Sequence, residues 1–286
     1  MKNRFSKSKT QKVFTKKNSL NPAPRSPERS QASQDRPVRE SSGPLFPKSW
    51  RPIVGTHAIR EALQVHPSGL VQAWIKQGWE SSTELRELEE LFRSQKVKIE
   101  VKPEPLLHKL SQSHQGAALF STWQPELDWN SLQQKETSKI LVLDGIEDPH
   151  NLGAIIRTSW LMSVDAILIP QDRAVGLTAT VHKVACGGAE HVPVVEVTNF
   201  SNILEDLKKL KFWVLGLSHK GKGTLFKQKL PAKVVWVIGA EDKGLRTATE
   251  RACDELIGIP QVSAAASYNA SVAAAIALSE TYRQQQ

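Results

Sequence analysis

The side chains best suited to acting on a bound ligand fall in three short stretches. They are Asn151 and Arg157 in "DGIEDPHNLGAIIR", Glu241 in "IGAEDKGL", and Ser267, Tyr268 and Asn269 in "IPQVSAAASYN". Each stretch mixes Gly or Ala with polar groups: the small residues let backbone come close to a ligand, and the polar ones orient it. None is a GxGxxG or a GxxxxGK[ST], so the dinucleotide fingerprint and the Walker phosphate loop are excluded. Asn151 and Asn269 each stand just before an apolar-periodic run and are expected to cap helices. Glu241 reads as a carboxylate favoured near a helix start. Arg157 lies three and four residues after Ala154 and Gly153, on a face that a polyanion backbone could approach. His150, beside Asp148, could in principle serve as a general base, but its place before Asn151 favours loop packing or substrate contact. His114 and His182 read as structural or substrate-contact residues.

Each stretch follows an apolar run of buried-strand type, and in open α/β sheets ligands sit beyond the carboxyl ends of strands. From Lys139 onward "ILVLDGI", "DAILIP", "VPVVEV", "FWVLGLS", "VVWVIGA" and "ELIGIP" alternate with helical stretches that end in "NASVAAAIALSETYRQ". Such alternation predicts a mostly parallel sheet covered on both faces. Upstream, "GTHAIREALQ", "LVQAWIKQ", "SSTELRELEELFRSQ" and "KVKIEVK" read as helix, strand, capped helix and strand, a small α/β unit closing at "HQGAALFSTW". The expected division is a basic tail over 1–50, a small α/β domain over 51–123, a linker over 124–138 and the main α/β domain over 139–286.

The 286 residues carry a net charge of +9, and residues 1–50 alone hold 12 Lys and Arg against 3 Asp and Glu. That segment is too poor in apolar residues to offset the entropy of ordering it, so disorder is expected to about Ser49. A basic disordered arm suits a polyanion such as nucleic acid; an organelle transit peptide or a solubilising extension has the same composition. Two cysteines, Cys186 and Cys253, with no CxxC or Cys/His cluster, suggest neither a disulfide framework nor a metal site and fit a reducing cytosol. No apolar run nears the roughly 18 to 20 residues that span a bilayer, and no signal core follows the basic start.

In this order and spacing the three stretches resemble the three motifs of the SpoU (TrmH-like) family of RNA ribose 2′-O-methyltransferases, members of the SPOUT class. The resemblance covers about residues 52–284. "GTHAIREAL" and "HQGAALF" resemble the small, L30e-like RNA-binding domain of the ribosomal branch, whose bacterial members are also matched by "DPHNLGAIIRTS", "ATVHKVACGGAEHVPV" and "CDELIGIP". The resemblance implies a C-terminal domain tied in a trefoil knot, with S-adenosylmethionine bent in the knotted crevice. There "SAAAS" would let chain pass chain. It implies that Gly239, Ile259 and Tyr268 hold the cofactor, largely through main-chain groups, and that Asn151, Arg157, Glu241, Ser267 and Asn269 form the catalytic set. Because a guanidinium keeps its proton, Arg157 would stabilise the ribose alkoxide or bind the adjacent phosphate. The third motif departs from the family's usual "IPM.G…SLN": Gln261 replaces Met, Ser263 replaces Gly and Tyr268 replaces Leu.

The implied substrate is a guanosine of 23S rRNA, with tRNA or a resistance-type rRNA site as the near alternative and a catalytically silent RNA-binding protein as the alternative from another class. The implied assembly is a cytoplasmic homodimer needing no metal and binding neither DNA nor membrane.

Overall fold

The computed structural model describes residues 44–263 and 266–286; residues 1–43, which carry most of the basic tail, and Ala264 and Ala265 lie outside the described residues. The chain builds two sheets in sequence. The first comprises β1 (Arg51–Val54), α1 (Thr56–Val65), β2 (Leu70–Lys76), α2 (Thr83–Ser94), β3 (Lys98–Lys102), α3 (Glu104–His108) and β4 (Ala117–Ser121). Its strand order is β1-β4-β2-β3, with β4 antiparallel to both neighbours and β3 parallel to β2. In α2, Ser82 Oγ accepts the amide of Leu85 as the N-cap. Leu85, Leu88 and Phe92 then share one helix face and bury against Ile59, Ala73 and Leu119.

The expected tail runs too far. Phe46 and Trp50 pack their rings 5.0 and 5.6 Å from Phe120, two aromatic contacts that a composition average hides. The stretch expected as a linker also holds structure: Asp128 caps α4 (Trp129–Gln134), and Leu132 is buried in the core of the second sheet.

That sheet is made of β5 (Ser138–Asp144), α5 (Pro149–Leu161), β6 (Ala166–Pro170), α6 (Ala179–Ala185), β7 (Val194–Val197), α7 (Phe200–Lys209), β8 (Trp213–Leu217), β9 (Gly223–Thr224), β10 (Lys233–Gly239), α8 (Thr247–Ala252), β11 (Glu255–Gly258) and α9 (Ala270–Gln284). The order is β7-β6-β5-β10-β8-β11-β9, and every pairing is parallel. Alternation along the strands feeds two cores. Leu141, Ile167, Leu215 and Trp236 point toward α5, α6 and α9, while Val142, Leu168, Val214 and Val237 point toward α7 and α8. Small residues bring α9 close: Ala270, Ala274 and Ala277 are buried, and the indole N–H of Trp236 donates to Thr281 Oγ1 at 2.9 Å. Among the described residues, no helix is long and apolar enough to cross a membrane.

Candidate active site

All three stretches end up at the carboxyl edge of the second sheet. β10 closes with Gly239, where an added Cβ would lie 2.1 Å from the Gly244 carbonyl carbon. The turn therefore folds back on its own strand, fastened by Gly244 N–H to Ala240 O at 2.8 Å. The same turn is pinned from below by Asp144, buried at the end of β5, which accepts the Arg246 amide at 2.9 Å and pairs with its guanidinium. Sequence reasoning passed over Asp144; the signal was an acid closing an otherwise apolar strand.

Asp148, rather than Asn151, caps α5, taking the His150 amide at 2.9 Å. Pro149 starts the helix one turn earlier than expected, so Asn151 sits inside the first turn with its side chain free for another task. It donates to Glu241 Oε1 at 2.9 Å, and its carbonyl oxygen accepts Asn269 Nδ2 at 2.9 Å. Asn269 also donates to Glu241 Oε1 at 2.5 Å. Its own oxygen caps α9 by accepting the amides of Ser271 and Val272. One residue from each stretch thus meets in a closed triangle of hydrogen bonds, with Asn151 buried and the other two exposed.

Beside the triangle opens a cavity of about 390 Å³ whose lining includes Ile238, Gly239, Glu241, Ile259, Ser267 and Tyr268. The volume falls in the range of about 300–1,000 Å³ usual for small-molecule sites. Its walls combine apolar Ile238 and Ile259 with polar Ser218 and Ser267, suited to a ligand with both apolar and polar surface. Two of the departures in the third motif bond to their own loop while remaining exposed. Gln261 Nε2 donates to the carbonyls of Ser263 and Ala266 at 2.9 and 2.8 Å, and the Tyr268 hydroxyl donates to Pro260 O at 3.1 Å. Both side chains therefore brace the loop that walls the cavity.

Arg157 stands apart from this arrangement. Its guanidinium is exposed and touches Cys186 Sγ at 3.6 Å. The glycine on its helix has a different use from the one expected: Gly153 is buried where a Cβ would lie 2.6 Å from Val184 Cβ, so it lets α5 pack on α6. His150 is exposed, with Nδ1 3.1 Å from Asp148, and His182 is buried in the core. Glu104, His108 and His114 offer ligand atoms within 4.8 Å of one another. The Gly116 amide already donates to His114 Nδ1 at 2.8 Å, which leaves the proton on Nε2 and no lone pair on that ring for a cation.

Comparison with known families gives the class, an RNA methylase. Residues 138–279 match the SpoU rRNA Methylase family and residues 52–122 match the RNA 2′-O ribose methyltransferase substrate-binding family; the chain belongs to the SpoU family. Over 239 residues it is 38% identical to the 23S rRNA (guanosine-2′-O-)-methyltransferase RlmB of Neisseria meningitidis, covering 82% of this chain and 95% of that protein. The RlmB of Nitrosomonas europaea is 37% identical, covering 81% and 91%. A crystal structure of an RNA 2′-O ribose methyltransferase superposes with a TM-score of 0.67 at 26% identity, over 83% of this chain and 90% of the other. The fold is shared with the SpoU methyltransferase AviRb of Streptomyces viridochromogenes, solved with AdoMet, at a TM-score of 0.70 and 20% identity over 83% and 91%.

Proposed function

We propose that this chain transfers a methyl group from S-adenosylmethionine to the ribose 2′-hydroxyl of a guanosine in 23S rRNA. The observation that carries the reading is the meeting of Asn151 and Asn269 on Glu241, which lines the cavity, in a chain matched over about four-fifths of its length by relatives named for that reaction. When bound, the cofactor supplies an activated methyl on a sulfonium. Gly239, Ile259 and Tyr268 hold it, largely by main-chain groups. Asn151, Asn269 and Ser267 orient the ribose, with Glu241 fixing the two amides. A ribose hydroxyl is a very weak acid, so the site must take its proton or stabilise the oxyanion. Arg157 stabilises that charge or grips the neighbouring phosphate.

Several features go with this reading. The first sheet grips RNA and the second catalyses, with α4 belonging to the catalytic half rather than to a free linker over 124–138, and the tail adds a cationic arm. A knotted crossing is supported by close backbone approach at Gly221, where a Cβ would lie 2.6 Å from Leu256 O. A homodimer is supported by the open hollow between α5 and α9, where Phe226 and Val272 are exposed beside Ala275 and Ile276; a second copy seated there completes each site. The cytoplasm is the compartment where such a substrate is met.

The test is mass-spectrometric mapping of ribose methylation in rRNA and tRNA from cells with and without the protein. A guanosine of 23S rRNA that loses its methyl in the deletion is the expected result. A changed tRNA with intact 23S rRNA would move the substrate, and no change in either would sink the enzyme reading.

A further inference from the structure

Away from the catalytic rim, a buried polar cluster lies where the two sheets meet. Arg51, on β1, reaches into the second half of the molecule and forks onto Glu190, with Nη1 2.7 Å from Oε1 and Nη2 2.6 Å from Oε2. Only 10% of the arginine side chain and 1% of the glutamate are exposed. The rest of the guanidinium is spoken for: Nε and Nη2 donate to Trp123 O at 3.2 and 2.9 Å, and Nη1 lies 3.2 Å from both ring nitrogens of His182. Burial first, and then the Arg51 charge, hold His182 well below its ordinary pKa, so it meets the cation as a neutral ring.

Glu190 belongs to the short segment Cys186–His191, which faces two ways. Toward the first sheet, His191 Nε2 lies 2.7 Å from Glu61 Oε1 on α1, and a Cβ at Gly187 would strike Glu61 Cβ at 2.7 Å. Toward the catalytic helix α5, Cys186 Sγ touches Arg157. A Cβ at Gly188 would lie 3.1 Å from Ile156 O and 3.2 Å from Arg157 Cα, and the His191 ring stacks on Trp160 at 4.4 Å. Glycine is required at Gly187, with its φ of 98°, and room for a side chain is lacking at both glycines. The same six residues therefore touch the substrate-binding half on one side and the helix carrying Arg157 on the other.

We propose that the Arg51–Glu190 pair is a positioning device: it fixes the substrate-binding half on the catalytic half so that RNA held by the first is presented to Arg157. A forked, desolvated ion pair sets angle as well as distance, which one exposed contact would not do. This rests on the functional reading above, in that residues 52–122 must be the part that grips RNA.

The test compares Glu190→Gln and Arg51→Lys with Glu61→Gln at the half-buried edge of the same seam, using the full chain and unmodified 23S rRNA. In Glu190→Gln the KM for RNA should rise at least about tenfold, with kcat within about threefold and affinity for S-adenosylhomocysteine within about twofold. Arg51→Lys, which keeps the charge and loses the fork, should fall between this and wild type; Glu61→Gln should change KM less than about threefold. A second readout needs no turnover. Arg51 grips the Trp123 carbonyl, so glutamyl-endopeptidase cleavage after the exposed Glu126 should speed up in Glu190→Gln. An unchanged KM with unchanged cleavage overturns the proposal, as do losses of kcat and of cofactor affinity as large as the rise in KM, which would mark a merely structural pair. If Glu190→Gln does not fold, Arg51→Lys decides by the same criteria. Wild-type protein inactive on 23S rRNA would overturn the choice of substrate, leaving cleavage after Glu126 to decide the seam.

Discussion

Asn151 and Arg157 stand on one helix, yet the structure treats them in opposite ways. Asn151 is buried and bonded to Glu241 and Asn269. Arg157, less than two turns on, is exposed and has a single thiol contact at 3.6 Å among the described residues. The first belongs to a preorganised wall that a single chain completes before anything binds. The second keeps its planar fork of donors available for a partner that arrives later, the form in which a guanidinium suits a phosphate or an oxyanion. Preorganisation lowers the cost of binding a small cofactor; a group that must meet a large, variable RNA backbone gains from staying open.

Three substitutions test this contrast, in falling order of effect. Arg157→Ala should cut methyl transfer by at least about a hundredfold, the scale seen when one charge-stabilising group is removed. Cofactor affinity should stay within about tenfold, or roughly 1.4 kcal/mol. Near-normal single-turnover rates would show that the open arginine is idle. Glu241→Ala removes the shared acceptor, leaving the buried Asn151 amide without a partner at a cost of about 1–3 kcal/mol. Lower thermal stability and lower kcat should appear together; a change in kcat alone would mean that the triangle is not structural. Tyr268→Phe removes one loop hydrogen bond, about 0.5–1.5 kcal/mol, so S-adenosylhomocysteine should bind roughly two- to tenfold more weakly at unchanged kcat. Titration calorimetry checks this, and tighter binding would show that the hydroxyl strains the loop.

Much of this was legible in advance, and the failures have physical causes. The six long strands of the second sheet could be read because burial on both faces forces near-continuous apolar runs. The two-residue β9 carries no period to detect, and α3 and α4 are too short for one. The cap of α5 was misassigned because Asp148 and Asn151 are both good caps by residue type, and only Pro149 at the first helical position tells them apart. Gly153 was read as leaving space for a substrate; its space is taken by Val184, a neighbour from another helix that local sequence cannot supply. The Arg51–Glu190 pair was invisible for the same reason.

Parallel pairing of β5 with β10 joins Ser138 to Lys233, and the rim is closed by Asn269 from the start of α9. On a ribosome, where chains fold from the amino end as they emerge, the first sheet has all its strands once Ser121 is out. The methylating half must wait for almost everything that follows. The nascent chain therefore owns every strand of its RNA-gripping sheet well before it owns any chemistry, and Arg51 waits for Glu190 to emerge, beside the very particle whose RNA its relatives are named for modifying.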